Sequence, residues 1–267
     1  MKFENTDVWG FEHAIRGMRN PKNSWALSDS AFGFNCIDYD KYGSVTNVTP
    51  YFEIGPKDMK LMQTLIKAGP EHRKFMRQIF VSVDITAPLY WWKEFDTYKV
   101  GTVANSTSTM HKLTSAPITL DCFDIDDFDP DLAVDKVDQS GLTEAGKECG
   151  FVDHWHMDSF WDLLVTRLED LRQMVLKTEN PELKKAFWKE LVRLLPESWM
   201  QKRTVTMNYE NLLAICSKSQ RRFHKLNEWS GQDDDSKPNF ISWARTLPYA
   251  QELIFIDEVE DGQDQSK

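Results

Sequence analysis

The segment of residues 79–111 limits most strongly how this chain can fold. Residues 79–86, IFVSVDIT, are rich in β-branched and aromatic side chains and alternate apolar with polar groups from Phe80 onward, which predicts a strand with one buried face. Pro88 follows, and the aromatic run at residues 90–95, YWWKEF, predicts a helix. A polar segment at residues 98–111 comes next. A strand, a proline, a helix and a polar loop therefore follow one another directly.

Charge and length limit the kinds of partner. The chain has 267 residues, enough for one large domain or two small ones, and a formal net charge of -10 at pH 7. A surface for polymeric nucleic acid needs clustered Lys and Arg, so this charge argues against one. A pocket for a mononucleotide needs only one or two Arg and remains compatible. The 10 Trp and 16 Phe can fill a core or stack on nucleobases, and we expect mainly core packing.

Cysteine use and hydropathy favour a cytoplasmic protein. The four Cys are scattered without a CxxC pair, which indicates reduced thiols rather than disulfides or a zinc site. Residues 1–20 carry charges throughout and lack the apolar core of a signal peptide. No stretch approaches the roughly 18 apolar residues of a membrane helix. We therefore expect a cytoplasmic location and no membrane partner.

The N-terminal part has two different patterns. Residues 1–50 carry Gly, Asn, Ser and Asp at short intervals, which predicts turns and short strands rather than a long helix. Apolar residues at helical spacing then begin at Pro56 and stop at Gly69, which predicts an amphipathic helix. A second, short helix is expected over residues 71–76.

The C-terminal half is mainly helical by pattern. Apolar residues at helical spacing predict helices over residues 160–175 and 183–194, with prolines beyond each end. Residues 203–207, RTVTM, predict a short strand. Residues 208–224 then predict a helix that opens at an Asn and continues to a His. A last helical block is expected over residues 240–256, with a break at its internal proline left open.

No internal repeat or sharp linker divides the sequence, so we predict one domain over residues 1–257, with residues 1–50 as its least typical part. The acidic tail, residues 258–267, is predicted to be disordered. Residues 121–140 form an acidic loop, with eight Asp between positions 121 and 138. Their order lacks the central Gly and closing Glu of an EF-hand, and His154 and His156 have no evident third ligand, so no metal site is predicted.

Residues 98–111 hold the polar side chains that could carry chemistry. Gly101 permits close approach of a ligand, and eight of the thirteen residues 99–111 offer side-chain hydrogen bonds. These are Lys99, Thr102, Asn105, Ser106, Thr107, Ser108, Thr109 and His111. From the residues alone, a ligand-binding loop and an ordinary Ser- and Thr-rich surface turn are equally compatible. The sequence has no GxGxxG or GxxxxGK[ST] phosphate loop and no G-x-S-x-G nucleophile motif.

The order strand, proline, aromatic helix and then YKVGTVANSTSTMH resembles the signature loop of the flavin-dependent thymidylate synthases, R-H-R-x-x-S-x-N-E-x-S-x-R-Y. Asn105 takes the Asn position, and Ser108 takes the second Ser, which in the family lies against the deoxyuridine nucleotide. Tyr98, Lys99 and Val100 stand where the family has Arg-His-Arg. Lys99 can therefore supply only a point charge in place of fork-shaped guanidinium donors.

A second resemblance lies in the C-terminal third. Residues 193–196, RLLP, and residues 204–209, TVTMNY, resemble the family's R-x-x-L-P and T-x-N-Y/A-R motifs. Arg193 and Asn208 thus take family positions, whereas Glu210 stands where an Arg is usual. The helix beyond resembles the one that brings an Arg to the nucleotide and a His to the flavin edge. Its candidates are Arg221, Arg222 and His224.

The resemblance covers about residues 75–255 and implies an α+β fold, with a central antiparallel sheet flanked by helices, assembled as a homotetramer. It implies FAD as cofactor, NADPH and methylene-tetrahydrofolate as co-substrates, and methylation or hydroxymethylation of dUMP or a related pyrimidine deoxynucleotide. The implied substrate-binding residues are Asn105, Ser108, Arg193 and Arg221, of which Arg221 is also the catalytic candidate. The implied cofactor-binding residues are Asn208, His224 and Lys99.

Two alternatives remain open. The missing Arg-His-Arg favours a nucleotide-binding or assembly protein that keeps the fold without flavin chemistry. A purely structural oligomer is the third hypothesis.

Overall fold

The computed structural model describes residues 1–39, 41–98, 100–108, 112–125, 157–231 and 236–258. Its internal contacts define two compact units. The first unit comprises Met1–Ile85, Glu94–Asn105 and Arg203–Lys267, and the second comprises Thr86–Lys93 and Ser106–Lys202. The single domain expected over residues 1–257 stays a prediction.

The fold is α+β with a four-stranded antiparallel sheet, as the sequence predicted. The strands are β1 (Lys2–Trp9), β2 (Ala31–Tyr39), β3 (Val45–Glu53), β4 (Phe80–Pro88), β5 (Val103–Ser106) and β6 (Met200–Asn208). The four-stranded sheet has the order β1-β4-β6-β5, and β2 and β3 form a separate hairpin. The strands predicted over residues 79–86 and 203–207 are thereby confirmed as β4 and β6. Val81, Val83 and Ile85 of β4 are buried, as the period-two pattern requires.

The helices follow the apolar spacing for the most part. They are α1 (Phe11–Arg19), α2 (Pro56–Lys67), α3 (Leu89–Phe95), α4 (Met157–Lys177), α5 (Pro181–Leu194), α6 (Tyr209–Cys216), α7 (Lys218–Arg221), α8 (Asn227–Ser230), α9 (Phe240–Arg245) and α10 (Ala250–Leu253). Helices α2, α3, α4 and α5 confirm the predictions, and the last block is indeed broken between α9 and α10. The short helix expected over residues 71–76 is instead a 3-10 helix at Lys74–Gln78. Among the described residues, no helix combines the length and apolar character needed to cross a membrane.

The first 50 residues are more regular than predicted. They contain the eight-residue β1, the nine-residue α1 and the nine-residue β2 that pairs with β3. In the hairpin, Phe32 lies opposite Phe52, and Gly33 lies opposite Tyr51. A Cβ at Gly33 would lie 2.5 Å from the Tyr51 ring, so Gly33 leaves room for this ring across the hairpin. The predicted strands are therefore present but longer than expected, and the nine-residue helix α1 was not predicted.

A buried ion pair holds the start of the first unit together. Arg19, at the end of α1, donates from Nε to Asp58 Oδ1 of α2 at 2.6 Å. Ser28 and Ser30 donate hydroxyl hydrogen bonds to the other Asp58 oxygen at 2.6 and 2.7 Å. Burial alone would raise the pKa of Asp58, but the Ser hydrogen bonds and the Arg19 guanidinium hold that pKa below its ordinary value.

The second unit has its own apolar core under α4 and α5. It contains Leu113, Ile118, Phe123, Leu168, Leu171 and Leu191. Asn180 caps α5, because its side chain accepts from the N–H groups of Glu182 and Leu183. This cap explains why the helix begins at the Asn-Pro pair.

The predicted helix over residues 208–224 is broken in two. Helix α6 ends at Cys216, and Ser217 has extended backbone angles, φ −58° and ψ 146°. The Ser217 side chain then accepts from the Gln220 N–H and caps α7. Apolar spacing alone did not distinguish a helix interior from a Ser that starts a new helix. The prediction of one continuous helix over residues 208–224 is therefore wrong, although the His224 N–H still donates to the Arg221 carbonyl at 3.1 Å.

Candidate functional site

The polar loop after α3 contacts the N-terminus of α6 within the first unit. Asn208 is the N-cap of α6, and Asn208 and Asn211 each accept a hydrogen bond from the other's backbone N–H. Asn211 Nδ2 also donates to the carbonyl of Val100. Gly101 has φ +81°, and a Cβ there would lie 3.0 Å from Asn208 Nδ2. The start of the signature-like loop is thus closely fitted to the helix cap.

Tyr98 ties the same loop to α7. Its hydroxyl accepts a hydrogen bond from Gln220 Nε2 at 3.0 Å, and its ring packs edge-on against Trp229 at 5.8 Å between centroids. Burial raises the pKa of the Tyr98 phenol above its ordinary value. The aromatic side chain at the first Arg position of the family loop therefore has a packing role here.

His224 lies in the core of the first unit. It is fully buried, and its ring stacks on Trp229 with centroids 4.5 Å apart. Its Nδ1 lies 3.3 Å from Glu94 Oε1, and its Nε2 lies 3.2 Å from the Ile215 carbonyl oxygen. Both ring nitrogens thus have partners inside the chain. A role for His224 at a flavin stays a prediction.

Arg221 contacts the acidic C-terminal segment. Its Nη2 lies 2.5 Å from Glu258 Oε1, and Arg245 donates to both oxygens of the same carboxylate at 2.8 and 2.9 Å. Both guanidinium groups lie over the Phe255 ring, at 5.7 Å for Arg221 and 4.1 Å for Arg245. Within the part of the chain that the structure describes, the buried Nε of Arg221 has no hydrogen-bond partner.

The charge of Glu258 is stabilised by this arrangement. Hydrogen bonds from Arg245, with the charges of Arg221 and Arg245, hold the pKa of Glu258 below its ordinary value against the opposing effect of burial. The Glu258 carboxylate is therefore ionised at neutral pH.

Glu210, in the first turn of α6, has a cationic partner. Arg73 Nε donates to its two carboxylate oxygens at 3.0 and 2.9 Å. The position at which the family usually has an Arg is thus negative in this chain, and a guanidinium from another part of the first unit faces it.

The other predicted site residues are more scattered. Asn105 is exposed on β5, and Ser108 is half-buried, with its carbonyl accepting from the Lys112 N–H at 2.9 Å. Arg193 belongs to the second unit, where it is 60% exposed and pairs with Glu190 at 3.3 Å. Lys99 lies outside the described residues, as do most of the acidic loop, the pair His154 and His156, and residues 259–267.

Four partners were not identified from the sequence. Asn211 could have been found, because Asn at the first and fourth positions of a helix start is a capping pattern. Gln220, Arg245 and Glu258 had no such signal, since their contacts join positions far apart in the chain. Among the described residues, no three His, Cys, Asp or Glu side chains lie together as metal ligands would.

Among the cavities that described residues of the first unit line, two differ clearly in their walls. One of about 340 Å³ is lined by Arg73, Ser217, Ser219 and Asp257 together with apolar side chains. The other, of about 600 Å³, has mainly aromatic walls, among them Trp9, Phe32, Tyr51 and Phe52. Small-molecule pockets typically measure about 300–1,000 Å³, so both have a suitable size. The smaller cavity combines hydroxyl, cationic and anionic groups, and neither cavity is lined by a predicted site residue.

The fold matches a known class of proteins. No protein-family model matches this sequence, and no curated protein does. A crystal structure of the flavin-dependent thymidylate synthase ThyX from Helicobacter pylori, complexed with FAD and dUMP, matches 96% of this chain and 99% of its own, with a TM-score of 0.52 and 15% identity. A second structure of ThyX from Helicobacter pylori with FAD and dUMP covers 96% and 98% at the same TM-score and identity. The chain therefore has a ThyX-like fold, and at this identity the likeness is one of fold alone.

Proposed function

We propose that this chain is a divergent flavin-dependent thymidylate synthase that methylates or hydroxymethylates dUMP or a related pyrimidine deoxynucleotide. The observation that carries the proposal is the extent of the likeness, over 96% of this chain and 99% of a ThyX complexed with FAD and dUMP. Reduced FAD, NADPH and methylene-tetrahydrofolate are the proposed cofactor and co-substrates. The two motif resemblances in the sequence support the same assignment independently of the fold.

The nucleotide part of the proposal rests on this chain's own residues. Arg221 presents a guanidinium whose buried Nε has no partner in the described part of the chain, and such a donor suits an anionic ligand. Asn105 lies in β5 and Ser108 just beyond it, where an amide and a hydroxyl can orient a polar ligand. We assign Arg221, Ser108, Asn105 and Arg193 to binding the nucleotide, with Arg221 also stabilising charge during reaction.

The flavin part meets a structural conflict. Reduced FAD would supply hydride to the pyrimidine ring when bound. Asn208, however, uses its side-chain oxygen to cap α6, and both nitrogens of His224 have partners within the chain. In this conformation, the Asn208 side-chain oxygen and both ring nitrogens of His224 are engaged within the chain, so a flavin contact would have to use the Asn208 amide nitrogen or a changed His224 pairing. Lys99, the third proposed cofactor residue, lies outside the described residues.

This conflict favours one second candidate. A protein of the same fold could bind the pyrimidine nucleotide without flavin chemistry, for which Asn208 and His224 would need only their structural contacts. The two candidates share the nucleotide site and differ in FAD.

Flavin content and turnover distinguish the two. Protein purified with added FAD should be yellow, and it should consume NADPH when given dUMP and methylene-tetrahydrofolate but not when dUMP is replaced by deoxyuridine. Colourless protein that neither retains FAD nor turns over would reject the enzyme. If the same protein still binds dUMP in a calorimeter, the second candidate is selected.

A homotetramer is part of the proposal. Phe32 and Phe34 project from one face of the hairpin and are 58% and 66% exposed, and an apolar face of this kind suits burial against another copy. Light scattering should then give four times the chain mass of 31.2 kDa. Phe34→Ser should lower the assembled fraction, whereas Tyr42→Ser, at the exposed hairpin turn, should not.

We also keep the cytoplasmic location as a proposal, with the free thiols of Cys122 and Cys216 in its support.

A further inference from the structure

The contact between Glu258 and two arginines has the chemistry of an occupied anion site. Arg245 binds the carboxylate through two parallel hydrogen bonds, and Arg221 adds a third contact to one of the same oxygens. Fork-shaped guanidinium donors of this kind suit a carboxylate and a phosphate equally well. Both guanidinium groups also lie over the Phe255 ring, which restricts their positions.

The Glu258 carboxylate does not accept from every hydrogen-bond donor of the two guanidinium groups. The buried Nε of Arg221 has no hydrogen-bond partner among the described residues. A phosphate monoester carries three terminal oxygens and close to two negative charges at neutral pH, so it can accept from more donors and neutralise both arginines. The neighbouring Asp257 accepts from the Lys218 N–H with one carboxylate oxygen, and its other, buried oxygen has no hydrogen-bond partner among the described residues.

The geometry points to Glu258 as a built-in competitor that occupies a two-arginine anion site, formed by Arg221 and Arg245, and is displaced by the phosphate group of the ligand. Glu258 and Arg245 are 26% and 39% exposed, so their ion pair is partly solvated and exchange with a free anion is feasible. Asp257, the residue before Glu258, lines the cavity of about 340 Å³ together with Ser217 and Ser219, whereas Arg221, Arg245 and Glu258 do not line it. The competition between Glu258 and an anion does not depend on the proposed function. Only the identification of that anion as the phosphate of a nucleotide rests on it.

Substitution of Glu258 in the full chain tests the competition. We expect Glu258→Gln to bind inorganic phosphate and dUMP at least about tenfold more tightly in a calorimeter, because the charge-assisted contacts of the carboxylate no longer compete. Deoxyuridine, which lacks the phosphate, should bind with unchanged affinity. Glu252→Gln, on α10 of the same unit, removes the same charge from a side chain that forms no ion pair with either arginine, and it should change none of the three affinities.

A second substitution separates competition from a general charge effect. Adding Arg245→Gln to Glu258→Gln should abolish the gain for phosphate. Unchanged or weaker phosphate affinity in Glu258→Gln, with thermal unfolding still cooperative, would overturn the inference. If that variant unfolds, Glu258→Asp is measured instead, and its shorter side chain should also raise phosphate affinity.

The inference and the proposed function fail differently. Tighter phosphate binding without any dUMP or deoxyuridine binding keeps the anion site and rejects the nucleotide function. Binding of dUMP that depends on Ser108 but is insensitive to Glu258→Gln keeps the nucleotide function and overturns the competition.

Discussion

The imidazole Nδ1 of His224 lies 3.3 Å from a carboxylate oxygen of Glu94, although 130 positions separate the two residues in the chain. The other ring nitrogen faces the Ile215 carbonyl, and the ring face covers Trp229. Both neighbouring oxygens are acceptors, so the tautomer of this fully buried ring decides which of them receives the N–H. His224 joins the end of α3 and the end of α6 to the aromatic core.

Removing His224 should destabilise the first unit. We expect His224→Ala to lower the free energy of unfolding by about 2–4 kcal/mol, because it leaves a cavity beside Trp229 and an unpaired carbonyl. His72→Ala removes an exposed imidazole and should stay within about 0.5 kcal/mol of the parent protein. Chemical denaturation measures both, and equal values would refute the structural role of His224.

Asn208 should matter first as a helix cap. We expect Asn208→Ala to cost about 1 kcal/mol of unfolding free energy, and Asn208→Ser to restore most of it, since Ser also caps helices well. FAD fluorescence in the two variants then tests the cofactor role separately. If Asn208→Ser keeps both stability and FAD affinity, the proposed flavin contact of Asn208 is wrong.

Gly101 and Gly43 form a matched pair for the loop. Both have φ +81°, but a Cβ at Gly101 would lie 3.0 Å from Asn208 Nδ2, whereas nothing lies within 4 Å of one at Gly43. Each substitution by Ala should cost about 1 kcal/mol or more for the left-handed backbone. The additional loss in Gly101→Ala reports the contact with the helix cap. Equal losses in denaturant titrations would mean that the loop does not depend on that contact.

Asp58 should make the protein sensitive to acid. Its folded-state pKa lies below the ordinary value of 3.8, so its contribution to stability is present above that value and is lost as the pH falls through the lowered folded pKa. Asp58→Asn should cost about 3–5 kcal/mol at neutral pH, because Arg19 keeps a buried, unpaired charge.

The pH profile supplies the control for that prediction. Unfolding of the parent protein, measured from neutral pH down to strongly acidic pH, should show stability falling at the acid end, and Asp58→Asn should flatten this part of the curve. Asp7→Asn, on the exposed face of β1, should leave the curve unchanged. A parallel acid-dependent loss in Asp58→Asn and the parent would contradict the assignment.

The nucleotide site makes a prediction that separates two neighbouring arginines. Ser108→Ala and Arg221→Ala should each weaken dUMP binding by about 1–3 kcal/mol, as expected for loss of a buried polar or charged partner. Arg222 is exposed and lies over the Phe223 ring, so Arg222→Ala should have a much smaller effect. Calorimetric titration with dUMP measures all three. Unchanged affinity in both Ser108→Ala and Arg221→Ala would refute the proposed pocket.

The local sequence determined most of the secondary structure. The period-two pattern of β4 and the helical spacing of α2, α4 and α5 each depend on residues a few positions apart, so they can be read from short windows. The start of α6 at Asn208 was predicted for the same reason, because an N-cap acts on the next three residues.

Only the tertiary structure decided the partners of the candidate site. Ser217 can continue a helix or cap a new one, and its choice is made in the folded chain, where the Lys218 N–H meets Asp257. Arg221 was predicted to face a nucleotide, yet its partner in this structure is Glu258, 37 positions away. Charge attraction acts through space, so spacing along the chain could suggest the guanidinium but could not reveal the carboxylate that meets it.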